Sequence, residues 1–564
     1  MNRFLVGFVL LAASASLGVL WLTGWPLGVP GEWTWDRMPT ELDSGMNGLG
    51  AAVAAGLFVV VVRVGWKRMN RVTRRPVSRG EVCGWLVALV GMSFAWLWIV
   101  QEAAPVKNRL GKAAFVLYYS SSSGYFTKAR YEEPSPGRLL AGYEDLMRER
   151  DVLHVGTHPP GLFLVFQGLI AACEFSPPLA AFLDATQPAS FREACDVIAT
   201  NSLRAKSAHA VLPLDRRVLW LATLLVMLSV SLVVVPLYGV VRLTHDRAAA
   251  WLTAALWPAV PAAAVFVPKS DVVYALVGMM FVWLWLLAVK RRSMGLALLA
   301  GLIAWCGLMC SLAFLPVFLF AGLVTLGARS FGLGLVELDG NEEDPLTLTL
   351  SPEDGGEGTG RETLEARCSV PVSQLAVPIS QRPAPFVWLS TLVPQLIPTI
   401  AAAAMGFVVP TLWLGWQGRV NLLVVWWLNY QNHAGFYAQY QRTYWKWLLV
   451  NPVELCLAAG VPVALLAAMS VLRLTKERRS TLMAVAWSLL FVGGLLWLTG
   501  KNSGEAARLW IVFLPWLVWL AGPLLAEAET SSKERWLGPA WIVMAIQFMV
   551  CLLTVARVSG FHFE

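Results

Sequence analysis

The chain has 564 residues, of which 57% are hydrophobic and only 14% charged, with a net charge of +8. A soluble protein carries nearer about 25% charged residues, so the composition excludes a water-soluble enzyme, and the excess of Lys and Arg reads as membrane topology before nucleic-acid binding. Apolar runs long enough to cross roughly 30 Å of hydrocarbon recur, and a good part of the 28 Trp sit near their ends, as in an interfacial belt. The expectation is an all-α polytopic membrane protein with about 12–14 transmembrane helices.

In chain order, Met1-Asn2-Arg3 and the apolar run to Trp25 imitate a signal peptide, but no small-x-small cleavage site follows, so an uncleaved first span is expected. A second run covers about 48–65. The segment 66–80 then holds Lys67, Arg68, Arg71, Arg74, Arg75 and Arg79 and is assigned to the cytoplasmic side. Residues 1–81 form an N-terminal two-span segment with its basic loop, and 82–330 form a core that begins with a run over 82–103.

The polar loop 105–161 then lies outside. Gly124–Arg130 and the helically spaced Leu139, Leu140, Tyr143, Leu146 and Met147 predict two short helices on the membrane surface. The loop carries Glu144, Asp145, His154 and His158 and ends in Pro159-Pro160-Gly161. Carboxylates and imidazoles beside a membrane are costly unless solvated or used. Solvated loop residues are the plainer reading for Glu144, Asp145 and His154. His158, against two prolines at the membrane edge, is the stronger candidate.

The run 160–174 is short for a span. Basic residues at Arg242–Arg247 and Lys290–Arg292 put both on the inside, which leaves 175–216 outside, so 160–174 either re-enters or tucks against other helices. Next, Pro268-Lys269-Ser270-Asp271 opens the run 272–289. There Asp271 suits a helix N-cap and could also line a cavity. Residues 331–385 are acidic and rich in Gly, Pro, Ser and Thr, and read as a disordered insertion.

Residues 386–564 return to transmembrane helices. Between them, 421–447 holds Trp426, Trp427, Tyr430, His433, Tyr437 and Tyr440, which suit either a sugar platform or an aromatic belt. Lys501, Glu505 and Arg508 open a helix on the same side as His158. Arg508 and Lys501 could bind phosphate, or Glu505 and Arg508 form an i, i+3 pair. No Cys-x-x-Cys occurs; Cys173 and Cys195, flanking one polar segment, are the pair that could bridge.

The long outer loop Gly124–Gly161, the His158-Pro159-Pro160 helix opening, the Pro268–Asp271 start and Gly504-Glu505-x-x-Arg508-Leu509-Trp510 together resemble the integral-membrane glycosyltransferases of the GT-C superfamily, specifically their bacterial mannosyl- and arabinosyltransferase-like members. The resemblance covers about residues 82–525. It implies transfer of a sugar from a polyprenyl-phosphate donor to a lipid or glycan acceptor of the cell envelope, on the outer face of a bacterial-type inner membrane, with inversion. It implies no nucleic acid and leaves a divalent metal optional. Where many relatives place an acidic pair ahead of the Tyr-x-x-x-Ala helix, this chain has Ser120–Ser123 before Tyr125 and Ala129. The base role then falls to Glu144 or Asp145, or to Glu132 or Glu133. His158 would orient it or bind phosphate, and Asp271, Lys501, Glu505, Arg508, His433 and Tyr437 would bind substrate. The rival readings are a flippase for lipid-linked glycans, which would carry charges at mid-span and repeat symmetry, and a non-catalytic membrane protein.

Overall fold

The computed structural model describes residues 3–70, 77–205, 211–330, 385–474, 481–501, 503–531 and 538–561. The acidic insertion, apart from Pro385, lies outside the described residues. The chain is an all-α multi-pass membrane protein. Seven helices among the described residues are long and apolar enough to cross a bilayer: Leu42–Met69, Arg79–Glu102, Pro213–Val241, Asp271–Arg291, Leu396–Gly418, Thr481–Leu498 and Ile511–Thr530. Two bent helix pairs raise the number to nine. The apolar helices Val6–Leu22, Met294–Cys310, Leu312–Ala328 and Pro539–Val555 are shorter. The 12–14 crossings expected from the sequence are therefore reached only when bent and short helices are counted with the long ones.

The bends have local causes. The run that opens at Gly161 stops at Phe175 and turns by 101° into Pro177–Thr186, because Pro177 and Pro178 cannot continue a helix. The apolar sequence over 249–266 is broken into Arg247–Leu256, a 3-10 turn Trp257–Ala259 and Pro261–Val265 by Pro258 and Pro261. Tyr444–Ala459 meets Val461–Leu474 at 109°, across Gly460 in the left-handed region (φ 83°).

The interior is rich in tryptophan. Trp96, Trp251 and Trp257 are fully buried, and their indole N–H groups donate to the carbonyls of Pro258 (2.9 Å), Val62 (2.8 Å) and Val230 (2.8 Å). Part of the Trp content thus pins helix to helix inside the bundle, rather than lying in the interfacial belt that the sequence suggests. Cys173 and Cys195 are free and buried, so the bridge considered for them is not made.

The sequence reading foresees no sheet, yet a small antiparallel one closes the chain. Leu27–Val29 pairs with Trp33–Arg37, which pairs with Val558–Ser559 near the C-terminus. At one end of the bundle the basic segments converge: Arg68 bridges Glu81 (2.6 Å), Arg247 donates to the Val77 carbonyl (2.7 Å) and Arg473 bridges Glu527 (2.6 Å). At the other end the sheet, the 103–160 connector and the segments before Asp271 and Ile511 meet.

Candidate functional site

The helix Asp271–Arg291 starts with Asp271 in its first turn. Ser270 holds the cap position and makes no side-chain cap bond, so Asp271 is not the N-cap. Its Oδ2 lies 3.5 Å from Arg508 Nε. Arg508 sits in the single turn Ala506–Leu509, ahead of the helix Ile511–Thr530, and its Nη2 is 2.5 Å from Glu505 Oε2. All three side chains are largely buried, with Arg508 12% exposed. Burial opposes the Arg508 charge, but Glu505 and Asp271 outweigh it and hold the guanidinium above its usual range.

Lys269, two residues before Asp271, is buried and donates to the Ser122 carbonyl of the polar connector. Burial, together with the nearby Arg508 charge, pushes its ammonium down to about 7. The fully enclosed Tyr125 joins this cluster to His158, since its ring lies 5.6 Å from the imidazole and 5.2 Å from Phe163. Burial and then the Asp271 charge raise its hydroxyl well above the ordinary range, so it remains a neutral donor.

His158 is fixed by its backbone. Its carbonyl accepts from Tyr143 Oη (2.7 Å) and Asn429 Nδ2 (3.2 Å), and its Nδ1 lies 3.1 Å from Thr157 Oγ1. Asn432 Nδ2 bonds the Met147 and Gly156 carbonyls, each at 2.9 Å. Both asparagines lie on the buried face of the helix Leu422–Gln439. After Pro159 and Pro160, Gly161 passes so close to the Met309 carbonyl that a Cβ would stand 2.5 Å from its oxygen.

The structure therefore joins His158, Asp271, Glu505 and Arg508, four of the residues singled out from sequence. It places the others elsewhere. Glu144 accepts from the Asn421 amide (2.8 Å) and pairs with Arg148 (3.2 Å), while the exposed Asp145 pairs with the same Arg148 (2.6 Å). Their cation is Arg148, not Arg508, and they tether the connector to the start of the helix Leu422–Gln439. Glu132 pairs with Lys128 at 2.8 Å. His433 and Tyr437, on that same helix, lie with Lys501, from the turn after Thr481–Leu498, in a second group. Lys501 Nζ lies 5.5 Å over the Tyr430 ring, Tyr430 stacks with Trp427 (5.7 Å), and His433 is 6.2 Å from Tyr437. Burial, then the Lys501 charge, lower the His433 imidazole. The His154 side chain lies outside the described residues.

Sequence reasoning missed three carboxylates that hold this end together, the buried Asp215 and Glu454 and the partly buried Glu32. Asp215 is fully buried and accepts from Arg130 Nε (3.0 Å), Tyr131 Oη (2.7 Å) and the Leu212 amide (2.8 Å). Glu454 accepts from Trp35 Nε1 (2.9 Å) and the Ala507 amide (3.1 Å). Glu32 binds the segment before and within the helix Tyr444–Ala459. Glu454 had a signal, because it is a lone carboxylate inside an apolar run. The alternation Trp33-Thr34-Trp35 beside Pro30-Gly31 likewise signals a hairpin. Among the described residues no group of three or more His, Cys, Asp or Glu is placed to hold a metal ion. No family model matches the chain, nor does any curated protein or solved structure.

Proposed function

We propose that this chain is a membrane glycosyltransferase that moves a sugar from a polyprenyl-phosphate donor to a cell-envelope acceptor, on the extracytoplasmic face of a bacterial-type plasma membrane. The observation that carries the reading is the cluster Asp271–Arg508–Glu505, with Lys269 beside it, buried at the mouth of two membrane helices. A lipid-phosphate donor presents its headgroup at this level. Its phosphate calls for cations and its acceptor for a base, and both are in contact here. Sidedness rests on the basic segments gathered at the opposite end of the bundle.

In this mechanism the Asp271 carboxylate takes the proton of the acceptor hydroxyl as that oxygen attacks the anomeric carbon. The bond from that carbon to the phosphate oxygen breaks, and the lipid phosphate leaves with the electron pair. Arg508, aided by Lys269, balances the charge that develops on it. One displacement inverts the anomeric centre. Asp271 takes the base role that the sequence offered to Glu144 or Asp145, because Asp271 lies against the cation suited to the phosphate and they do not. Trp427, Tyr430, His433 and Lys501 offer a stacking surface for a sugar ring.

The test is sugar transfer in membranes with labelled polyprenyl-phosphate sugars. Asp271→Asn and Arg508→Ala should each lose about 10²–10³-fold in rate at unchanged expression, and Glu144→Gln and Asp145→Asn should stay within a few-fold of wild type. Transfer that survives Asp271→Asn but not Glu144→Gln returns the base to the surface pair. No transfer with any such donor rejects the reading.

A further inference from the structure

A groove of about 540 Å³ runs between the helices Val6–Leu22, Leu42–Met69 and Pro539–Val555. Its walls include Leu10, Leu17, Val60, Ile546 and Met549, and among the described residues Arg63 is its one charged lining residue. The volume falls within the roughly 300–1,000 Å³ of ligand sites. Leu10 and Val60 on its rim are exposed to what would be hydrocarbon.

The position of Arg63 gives the groove a direction. It lies six residues before the end of its helix at Met69, so about 9 Å of helix separates it from that end. That is within reach of a long side chain that snorkels to the interface. The same end carries the Trp66–Trp541 ring pair (5.7 Å apart) and leads into the basic 66–80 segment. An apolar trough with a guanidinium at its interfacial end matches an acyl chain that carries an anionic head. A transmembrane helix from a second copy, about 10 Å across, would fit this volume for only about one turn.

We infer that this groove binds a diacyl phospholipid with an anionic headgroup, in the leaflet facing the 66–80 segment, with a chain between the three helices and the phosphate at Arg63. The site is independent of the proposed transfer chemistry at the other end of the bundle.

The experiment is native mass spectrometry of the full-length chain, delipidated in detergent and titrated with phosphatidylglycerol or phosphatidylcholine of identical acyl chains. Wild type should retain phosphatidylglycerol about fivefold better, the scale of one interfacial arginine. Arg63→Gln should remove that preference, and Arg63→Lys should keep most of it. Gly56→Leu should weaken both lipids, because Gly56 lines the groove and a Cβ there meets nothing within 4 Å, so the side chain fills the trough without a clash. Equal retention of the two lipids by wild type overturns the inference. So does unchanged selectivity in Arg63→Gln with unchanged retention in Gly56→Leu. A dimer that neither lipid disperses and Gly56→Leu does disperse assigns the groove to a second copy instead.

Discussion

Lys112 and Lys269 are both buried at the connector end of the bundle, where each ammonium meets a backbone carbonyl: Val265 for Lys112 (3.3 Å) and Ser122 for Lys269. Burial pushes Lys112 down to about 7, and burial together with Arg508 does the same to Lys269. In the unfolded chain a lysine titrates near about 10.4. Between about pH 7 and 10.4 the unfolded state therefore binds more protons than the folded one, and stability rises with pH across that window. The thermal unfolding midpoint of the detergent-solubilised protein should climb from pH 7 to 10, and less steeply in Lys112→Met or Lys269→Met. An unchanged slope in both variants would mean that each lysine keeps its proton in the folded chain. Arg508 does not share this behaviour, because its two carboxylates secure its charge. That division suits a site in which one cation is permanent and its neighbour can lose a proton.

At the scale of elements, one close helix contact in the bundle depends on two glycines. A methyl group at Gly301 would collide with the Ala403 carbonyl, and one at Gly406 with the Leu298 carbonyl. The helices Met294–Cys310 and Leu396–Gly418 thus meet backbone to backbone, the packing that small residues permit in membranes. Gly406→Leu should destabilise the fold by about 1–3 kcal/mol, the usual range for overpacking. Gly322→Leu, whose Cβ meets nothing within 4 Å, should leave the thermal midpoint in place. Equal midpoints for the two variants would refute the close approach. The helices themselves were readable as apolar runs, since 272–289 lies inside the span Asp271–Arg291. The bends were less readable, although Pro177, Pro258 and Pro261 mark three of the breaks. Hydropathy averages over such residues, whereas backbone geometry responds to each one. Pairing across the molecule was not readable at all. Trp35 and Glu454, which share a hydrogen bond, lie 419 positions apart, and neither carries a local mark that names the other. The same limit explains why Asp271, Glu505 and Arg508 stood out as separate helix openings, while Glu144 looked more like a base than Asp271. Proximity to Arg508 is a tertiary fact.

For the whole molecule, the small sheet acts as a clasp. Arg557, beside the C-terminal strand, donates to the carbonyls of Leu20 (3.3 Å) and Met38, while Asn108 of the connector donates to Ser559 Oγ (3.1 Å). The two ends of the chain are thereby tied to each other and to the connector that carries Tyr125 and His158. Glu32 extends the clasp to the helix Tyr444–Ala459. It accepts from Thr443 Oγ1 (2.6 Å), the Thr443 amide (2.8 Å) and Trp447 Nε1 (2.8 Å), with Lys446 Nζ at 3.6 Å. That helix carries Glu454, which holds the Ala507 amide next to Arg508. Burial works against the Glu32 charge, but the bonds from Thr443 and Trp447, with the Lys446 charge, prevail and bring its carboxyl down to about 2. The folded value lies below the unfolded value of about 4.3, so the stabilisation is complete above that pH and is lost as pH falls through the folded value. Glu32→Gln should therefore lower the thermal midpoint by a constant amount from pH 5 to 8, and the gap to wild type should close between about pH 4.3 and 2. A gap that persists unchanged to pH 2 would show that Glu32 acts through shape rather than charge. Because Glu32 acts on Arg508 through intervening residues, among them Trp447 and Glu454, which holds the Ala507 amide, the same substitution should slow sugar transfer less than Arg508→Ala does. A loss as large as that of Arg508→Ala would place the hairpin inside the reacting centre instead of behind it.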